Sequence, residues 1–138
     1  MIQRHAAYRN VKSKKIEIDG IKFASPGEAE RYLELCIMQM RKEILSFELQ
    51  PKFELQPKFR KFGILFRPIH YIADFKVTYP DHVSIEDVKG WGGYTTPEFK
   101  IKRKIWERLN PDLTLTLLKR NGKVKIREAL LAERERLK

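Results

Sequence analysis

Two acidic residues and a lysine in the middle of the chain have a spacing that suits metal-ion chemistry. Asp74 lies in the apolar run YIADF, and Asp87 and Lys89 lie two residues apart in the run IEDVKG. Residues two apart in a strand share a face, so Asp87 and Lys89 are predicted to point the same way and Glu86 the other way. A divalent cation relieves the repulsion between two close carboxylates, and a lysine stabilises developing negative charge. The set therefore predicts metal-assisted phosphodiester hydrolysis.

An ion-pair network among these three side chains is the alternative interpretation, because an acid and a lysine two residues apart are common by chance. The apolar neighbours Ala73 and Phe75 make an unpaired carboxylate at Asp74 costly, which favours a ligand role. Gly90 and the glycine-rich stretch GWGGYTT after the triplet leave room for a backbone to approach. The net charge of +11 favours a polyanion, with nucleic acid first, although a ribosomal or membrane surface would also satisfy the charge.

The first half of the chain contains a predicted hairpin and a predicted helix. KIEIDGIKF alternates apolar and polar residues around a two-residue turn at Asp19-Gly20. Ser25 and Pro26 are predicted to begin a helix over SPGEAERYLELCIMQMRKE. The tandem hexapeptides Glu48–Phe53 and Glu54–Phe59 then predict strands and extended loop, with their prolines confining them to edge pairing.

The second half contains the strands that carry the acidic residues. FRPIHYIADFKVTY and HVSIEDVK are predicted to pair antiparallel across a turn at Pro80-Asp81. A helix over TPEFKIKRKIWERLN follows, and then a strand over DLTLTLLKR. Asn121-Gly122 is predicted to turn the chain into KVKIRE, with a charged helix from Glu128. Because a helix connects two strands, the last strand is predicted to join the sheet in parallel.

These elements predict an α/β fold with a central mixed sheet flanked by helices. The 138-residue length fits one domain over residues 16–138, preceded by a basic arm over residues 1–15. Cys36 is the one cysteine, which excludes an internal disulfide and a cysteine-rich zinc site. The chain has no apolar run that could span a bilayer and no signal peptide, so a cytoplasmic protein without a membrane partner is predicted.

The ordered set YIADF…IEDVKG resembles the core of the PD-(D/E)XK nucleases, the restriction-endonuclease-like superfamily. Asp74 matches the first acid of the motif and Asp87-Val88-Lys89 matches its triplet, with Ala73 in place of the usual proline. FASPGEAERYLEL and ELQPKF resemble the corresponding parts of small phage-type nucleases, and the likeness covers about residues 16–120. It implies an αβββαβ core and a DNA endonuclease that uses Mg²⁺, with Mn²⁺ as a substitute. Holliday junctions or other branched DNA are the implied substrates, and cutting both sides of a junction implies a homodimer.

The resemblance also implies roles for individual residues. The implied Mg²⁺ ligands are Asp74, Asp87, Glu28 and the carbonyl of Val88. Lys89 is implied to position or stabilise the attacking hydroxide. Glu28 also completes a Ser-x-x-Glu capping box, and Glu30 is the alternative acid on this helix. Gln50 is implied to bind a metal-bound water, although its duplicate Gln56 leaves the register open.

The helix after the glycine-rich stretch contributes a further candidate. Its buried stripe is predicted at Ile101, Ile105 and Leu109, and Lys102 falls within the same sector. Lys102 is therefore predicted to reach the phosphate, or alternatively to extend past the core to solvent. The outward-pointing residues of this helix are predicted to face solvent or the DNA backbone, and they are Lys100, Arg103 and Lys104.

Two other segments are predicted to contact DNA. Tyr94 and Trp91 in the glycine-rich stretch are predicted to stack on exposed bases, although Trp91 is equally suited to packing under the sheet. Lys14 and Lys15, with the other basic residues of the arm, are predicted to contact phosphates.

Two alternative functions remain open at this point. One is a nicking or mismatch-type endonuclease on duplex DNA, and the other is a nucleic-acid-binding module without activity.

Overall fold

The computed structural model of the protein describes residues 15–90 and 95–138. Within these ranges the chain forms ten strands and three helices. The strands are β1 (Ile16–Ile18), β2 (Ile21–Phe23), β3 (Ser46–Leu49), β4 (Lys52–Gln56), β5 (Phe59–Lys61), β6 (Ile64–Phe66), β7 (Ile69–Ile72), β8 (Phe75–Thr78), β9 (Val83–Lys89) and β10 (Thr114–Lys119). The helices are α1 (Pro26–Met40), α2 (Pro97–Leu109) and α3 (Val124–Leu137). The predicted DNA-contacting residues Trp91, Tyr94 and Lys14 lie outside the described residues.

Local sequence signals account for the first hairpin and for the starts of two helices. β1 and β2 pair antiparallel across Asp19 and Gly20, whose φ values of 56° and 77° suit a two-residue hairpin turn. Ser25 caps α1 by accepting a hydrogen bond from the backbone N–H of Glu28. Thr96 caps α2 in the same way, by accepting from the N–H of Phe99.

A four-stranded mixed sheet in the order β10-β9-β8-β3 forms the centre of the fold. β8 pairs antiparallel with β3 and β9, and β10 pairs parallel with β9, with α2 between them along the chain. The predicted α/β class with a mixed sheet and the predicted parallel last strand are therefore confirmed. The helix α1 packs on one face around Phe75 and Val88, and α2 covers the other face, where Trp106 packs near Ile85.

Three sequence-based predictions about the elements are wrong. Asp74 does not lie within a strand: it lies in a bend between β7 and β8. The segment KVKIRE already forms the first part of α3, so this helix begins at Val124 rather than at Glu128. The predicted stripe of α2 is misplaced, because Ile101 is 61% exposed and Leu109 is 52% exposed. Trp106 is fully buried instead, because an indole ring removes more apolar area from water than either aliphatic side chain.

The tandem hexapeptides occupy equivalent positions at successive strand junctions. The first copy, Glu48–Phe53, leads from β3 into β4, and the second copy, Glu54–Phe59, leads from β4 into β5. β4 pairs antiparallel with β7, and β5 pairs antiparallel with β6, so both of these two-stranded ribbons lie outside the central sheet. Within the described ranges, no helix is long and apolar enough to cross a bilayer.

Candidate active site

Asp74, Asp87 and Lys89 converge where β9 approaches its end. The Oδ2 atom of Asp74 accepts a hydrogen bond of 2.6 Å from the backbone N–H of Val88. The Asp74 carboxyl is hydrogen-bonded to that of Asp87, and Nζ of Lys89 lies 3.4 Å from Oδ2 of Asp87. The structure therefore brings together the three side chains that the sequence selects. The bend places Asp74 directly before β8, where its carboxyl reaches the backbone N–H of Val88 in β9.

The pKa of the Asp74 carboxyl lies far above the usual range of an aspartate. Burial raises the pKa of the Asp74 carboxyl to about 8, and the hydrogen bond and negative charge of Asp87 act in the same direction. Two neighbouring carboxyls cannot both ionise cheaply at a buried site. The Asp74 carboxyl therefore holds a proton near neutral pH, and a divalent cation that binds to it must displace this proton.

Glu28 and Gln50 lie beside Asp74 around a cavity of about 80 Å³. Burial raises the pKa of Glu28, whose carboxyl also accepts hydrogen bonds from the backbone of Ala24 and the hydroxyl of Ser25. The charges of Asp87 and Lys89 both affect this pKa, which shows that Glu28 lies within electrostatic reach of the pair. Glu28 thus lies in the first turn of α1, bonded to the capping residue Ser25, and adjoins the acidic pair.

The contacts of the side chains distinguish Glu28 from Glu30 and Gln50 from Gln56, two choices that sequence patterns leave open. The carboxylate of Glu30 accepts a hydrogen bond of 2.8 Å from the backbone N–H of Gly122 and so anchors the turn before α3. Glu28, and not Glu30, is therefore the helix acid next to Asp74. Of the two repeat glutamines, Gln50 lines the cavity with Asp74, whereas Gln56 is exposed in β4.

Tyr71 and Phe99 contact the site and are missed by the sequence analysis. The hydroxyl of Tyr71 donates a 2.7 Å hydrogen bond to Oδ2 of Asp87, and burial raises the pKa of this phenol, so it remains a donor. The ring of Phe99 lies under Lys89, with Nζ 3.9 Å from the ring centroid. Tyr71 begins the run YIADF, but sequence reasoning gives a role only to Asp74 in that run, and Phe99 lies outside both quoted runs. Only the tertiary contacts therefore identify Tyr71 and Phe99 as site residues.

The first turns of α2 border the site from the other side. Lys102 lines a cleft of about 300 Å³ together with Asp87 and Tyr71, and its ammonium pairs with Glu98 at 3.0 Å. Lys100 and Lys104 are exposed, as predicted. Arg103 is half-buried and its charge lowers the pKa of Tyr71, so the prediction that it points away from the core is wrong. Because the buried face is centred on Phe99 and Trp106, Arg103 falls on the inner side.

The donor set fits a hard divalent cation. Asp74, Asp87 and Glu28 offer carboxylate oxygens and Gln50 offers an amide oxygen, and such ligands suit Mg²⁺. A strand residue directs its N–H and C=O to the same side, so the Val88 carbonyl faces the side of Asp74 as well. In the part of the chain that the structure describes, no three acidic, histidine or cysteine side chains are in place to hold an ion together. One or two carboxylates with several waters are a usual set for Mg²⁺, and Glu28 would join them by leaving its capping contacts.

Glu86 has the structural role that its place on the opposite face predicts. Its carboxylate accepts hydrogen bonds of 2.8 Å and 2.7 Å from the guanidinium of Arg31 in α1, and both residues are buried. This ion pair fixes α1 against β9. It therefore helps to hold Glu28 and Asp87, which belong to those two elements, in a constant relative position.

The chain matches a known protein family over most of its length. The chain matches the model of the family DUF1064, described as a protein of unknown function, over residues 8–126. The comparisons with curated proteins and with solved structures found no match. The matched range includes every residue of the acidic pair, the lysine, the Glu28 cavity and the α2 cleft described above. The chain therefore belongs to the DUF1064 family.

Proposed function

We propose that this protein is a Mg²⁺-dependent DNA endonuclease of the restriction-endonuclease-like superfamily that acts on Holliday junctions or other branched DNA. The observation that supports this proposal most directly is the hydrogen-bonded pair of Asp74 and Asp87, with Nζ of Lys89 at 3.4 Å from Oδ2 of Asp87. The element order also supports the proposal. The helix α1, the antiparallel strands β3, β8 and β9, the helix α2 and the parallel strand β10 follow the αβββαβ sequence of that core.

The residues of the site would divide the work of hydrolysis. Bound Mg²⁺ would supply an activated water and polarise the scissile phosphate. Asp74 would give up its proton, and Asp74 and Asp87 would present oxygens to the ion, while Tyr71 holds Asp87 in orientation through its hydroxyl. Lys89, supported by the Phe99 ring, would place a positive charge where negative charge develops on the phosphate.

Charge and surface exposure support DNA as the substrate. The chain carries a net charge of +11, and Lys15, Lys100 and Lys104 are exposed where they are free to contact phosphates. The preference for branched DNA rests on the resemblance to small basic nucleases that act on such DNA. Cleavage of both strands across a junction needs two sites, so the active form is proposed to be a homodimer.

A cleavage assay tests the proposal. The wild-type protein is incubated with Mg²⁺ or Mn²⁺ and a synthetic four-way junction, beside flap DNA and the linear arms of the junction. We expect cleavage of the branched DNAs, and loss of cleavage with retained DNA binding in Asp74→Asn and Lys89→Ala. Equal cutting of the linear arms would instead indicate a nicking-type enzyme, and binding without any cutting would indicate a binding module.

A further inference from the structure

The β5–β6 hairpin is an exposed finger that the site described above does not use. Every residue of the range 56–67 is exposed, and among the described strands β5 and β6 pair only with each other. The apolar side chains of the hairpin include Phe59 and Phe66, whose rings stack at a centroid distance of 4.8 Å and an interplanar angle of 8°. This stacked pair stiffens the hairpin, which no other element in residues 15–90 and 95–138 covers.

The tip of the hairpin carries an aromatic residue in an unfavourable backbone conformation. Phe62 and Gly63 form the two-residue turn with φ values of 51° and 77°, and the Phe62 side chain is 92% exposed. The turn at Asp19 and Gly20 has nearly the same φ values, but it uses a residue type that favours this geometry. A bulky residue at positive φ is strained. Because the Phe62 ring is not buried, packing within the fold does not offset this strain, which indicates that the ring contacts a partner.

The positive charge of the hairpin indicates which kind of partner it binds. Lys58, Arg60, Lys61 and Arg67 lie in and beside it, and the chain has no acidic residue between Glu54 and Asp74. Two copies of so basic a finger would repel each other if they paired, whereas DNA offers phosphates to the cations and bases to the aromatic ring. A two-stranded ribbon also fits into the major groove of B-DNA.

We propose that the β5–β6 hairpin binds the DNA near the cleavage site and stacks the ring of Phe62 on a base that is opened at a branch point. The hairpin extends the β4–β7 ribbon, and β7 ends two residues before Asp74. Ten residues separate Phe62 from Ile72, so the tip reaches at most about 33–36 Å from the end of β7. This is about one turn of B-DNA, so the tip and the carboxyl pair can contact one DNA molecule. The inference rests on the proposed function for the choice of branched DNA.

Fluorescence of 2-aminopurine tests the contact without cleavage. A four-way junction with 2-aminopurine at the branch is titrated in EDTA, where base unstacking raises the signal. We expect the wild-type protein and Phe62→Trp to raise the fluorescence. Phe62→Asn removes the ring and relaxes the turn, so it should lose this rise and bind about tenfold more weakly while its melting temperature stays equal or increases. Leu45→Asn is the matched control, because Leu45 is also exposed (61%) but is not part of the hairpin, and it should behave as the wild type.

Other outcomes overturn the proposal. If Phe62→Asn binds the junction and raises the fluorescence as the wild type does, or if the wild type raises no signal, Phe62 does not stack on a base. If the fluorescence is unchanged and sedimentation shows that Phe62→Asn loses a wild-type dimer, the hairpin binds a second copy of the chain. If the fluorescence is unchanged and flotation shows that Phe62→Asn loses binding to anionic vesicles, the hairpin binds a lipid surface. Cleavage with Mg²⁺ is measured separately. If the fluorescence depends on Phe62 but the wild type does not cleave, the endonuclease proposal alone is contradicted. If the wild type cleaves but the fluorescence does not depend on Phe62, the proposed role of the hairpin alone is contradicted.

Discussion

The ammonium group of Lys89 lies 3.9 Å from the centroid of the Phe99 ring and 3.4 Å from Oδ2 of Asp87. The lysine comes from the end of β9, and the ring comes from the first turn of α2, on the far side of the glycine-rich stretch. A cation over an aromatic face is attracted by the quadrupole of the ring. Phe99 therefore restricts the positions open to Lys89 and keeps the charge next to the acidic pair.

Replacing Phe99 by leucine tests whether this ring positions Lys89. Leucine keeps an apolar side chain but lacks the aromatic face, so the Lys89 ammonium loses an attraction of about 1–2 kcal/mol and becomes less well oriented. We expect the single-turnover rate of junction cleavage at saturating protein to fall about tenfold, which corresponds to about 1.4 kcal/mol. The dissociation constant for the junction should stay within about twofold. A normal rate, or a loss of affinity in place of rate, would contradict a positioning role.

The same helix offers a control for Phe99→Leu. Ile101 lies two residues further along α2, is 61% exposed and does not face the site. Ile101→Leu should leave both the rate and the affinity unchanged. A rate loss in this variant would mean that the whole helix, and not the contact between Phe99 and Lys89, responds to substitution.

The hydroxyl of Tyr71 is expected to orient Asp87 for metal binding. Tyr71→Phe removes the 2.7 Å hydrogen bond to Oδ2 of Asp87 and leaves the ring in place. The loss of such a partner weakens metal binding by about 10–100-fold, so the Mg²⁺ concentration for half-maximal cleavage should rise at least about tenfold. A titration of the cleavage rate with Mg²⁺ measures this shift. Tyr32→Phe is the control, because its hydroxyl bonds Asp19 at the β1–β2 turn, and its Mg²⁺ dependence should match the wild type.

The sequence predicts those parts of the fold that local chemistry determines. The Asp19-Gly20 turn, the Ser25 and Thr96 caps and the parallel pairing of β10 follow from turn residues, capping residues and chain order. The acidic pair follows from residue type and spacing, because a carboxyl in an apolar run needs a partner. The family match covers these residues but supplies no activity, so their catalytic roles remain predictions.

The parts that the sequence analysis misses depend on long-range packing. The bend at Asp74 arises because its backbone N–H bonds Glu86 and its carbonyl bonds Gln50, which no local pattern reveals. The inner face of α2 depends on which side chain fills the space over Ile85, and Trp106 fills it. Tyr71 and Phe99 reach the site through this same packing, so their contacts become visible only when the sheet and α2 are assembled.

Neutralising Glu28 and Glu30 separately should distinguish a metal ligand from a structural acid. Glu28→Gln removes a carboxylate beside Asp74, and we expect cleavage to fall on the order of a hundredfold. Glu30→Gln keeps an oxygen that accepts from the Gly122 N–H, so cleavage should stay within about threefold while the free energy of unfolding drops by about 1 kcal/mol. Single-turnover rates and urea unfolding of both variants measure the difference. Equal cleavage losses in the two variants would contradict this division.

The buried ion pair of Arg31 and Glu86 is expected to support the fold without taking part in cleavage. Glu86→Ala leaves the Arg31 guanidinium partly unpaired in the interior, so the free energy of unfolding should fall by about 3 kcal/mol. The double variant Arg31→Met with Glu86→Leu should recover most of this loss, because it removes both charges. Urea unfolding measures both values, and Glu107→Ala on the exposed side of α2 should change stability by less than about 0.5 kcal/mol. Loss of cleavage in the folded double variant would show instead that the ion pair is needed to position the site residues of α1 and β9.

The raised pKa of Asp74 predicts how the stability of the metal-free protein responds to pH. The pKa of Asp74 is raised from 3.8 to about 8 in the folded state, so the folded protein binds this proton more tightly than the unfolded chain. The resulting stabilisation is complete below about pH 4 and is lost as the pH rises through 8. Asp74→Asn mimics the protonated group, since its amide still accepts from the Val88 N–H and donates towards Asp87.

Urea unfolding of the wild type and Asp74→Asn in EDTA measures this loss as a difference between the two proteins. We expect the wild type to lose roughly 2 kcal/mol relative to Asp74→Asn between pH 5 and 8.5, less than the full shift gives because the group retains some solvent contact. Added Mg²⁺ should restore wild-type stability at pH 8.5 and leave Asp74→Asn unchanged, because only the carboxylate can exchange its proton for the cation. Parallel pH profiles of the two proteins would show that Asp74 ionises freely, and the acidic pair would then need no cation to relieve it.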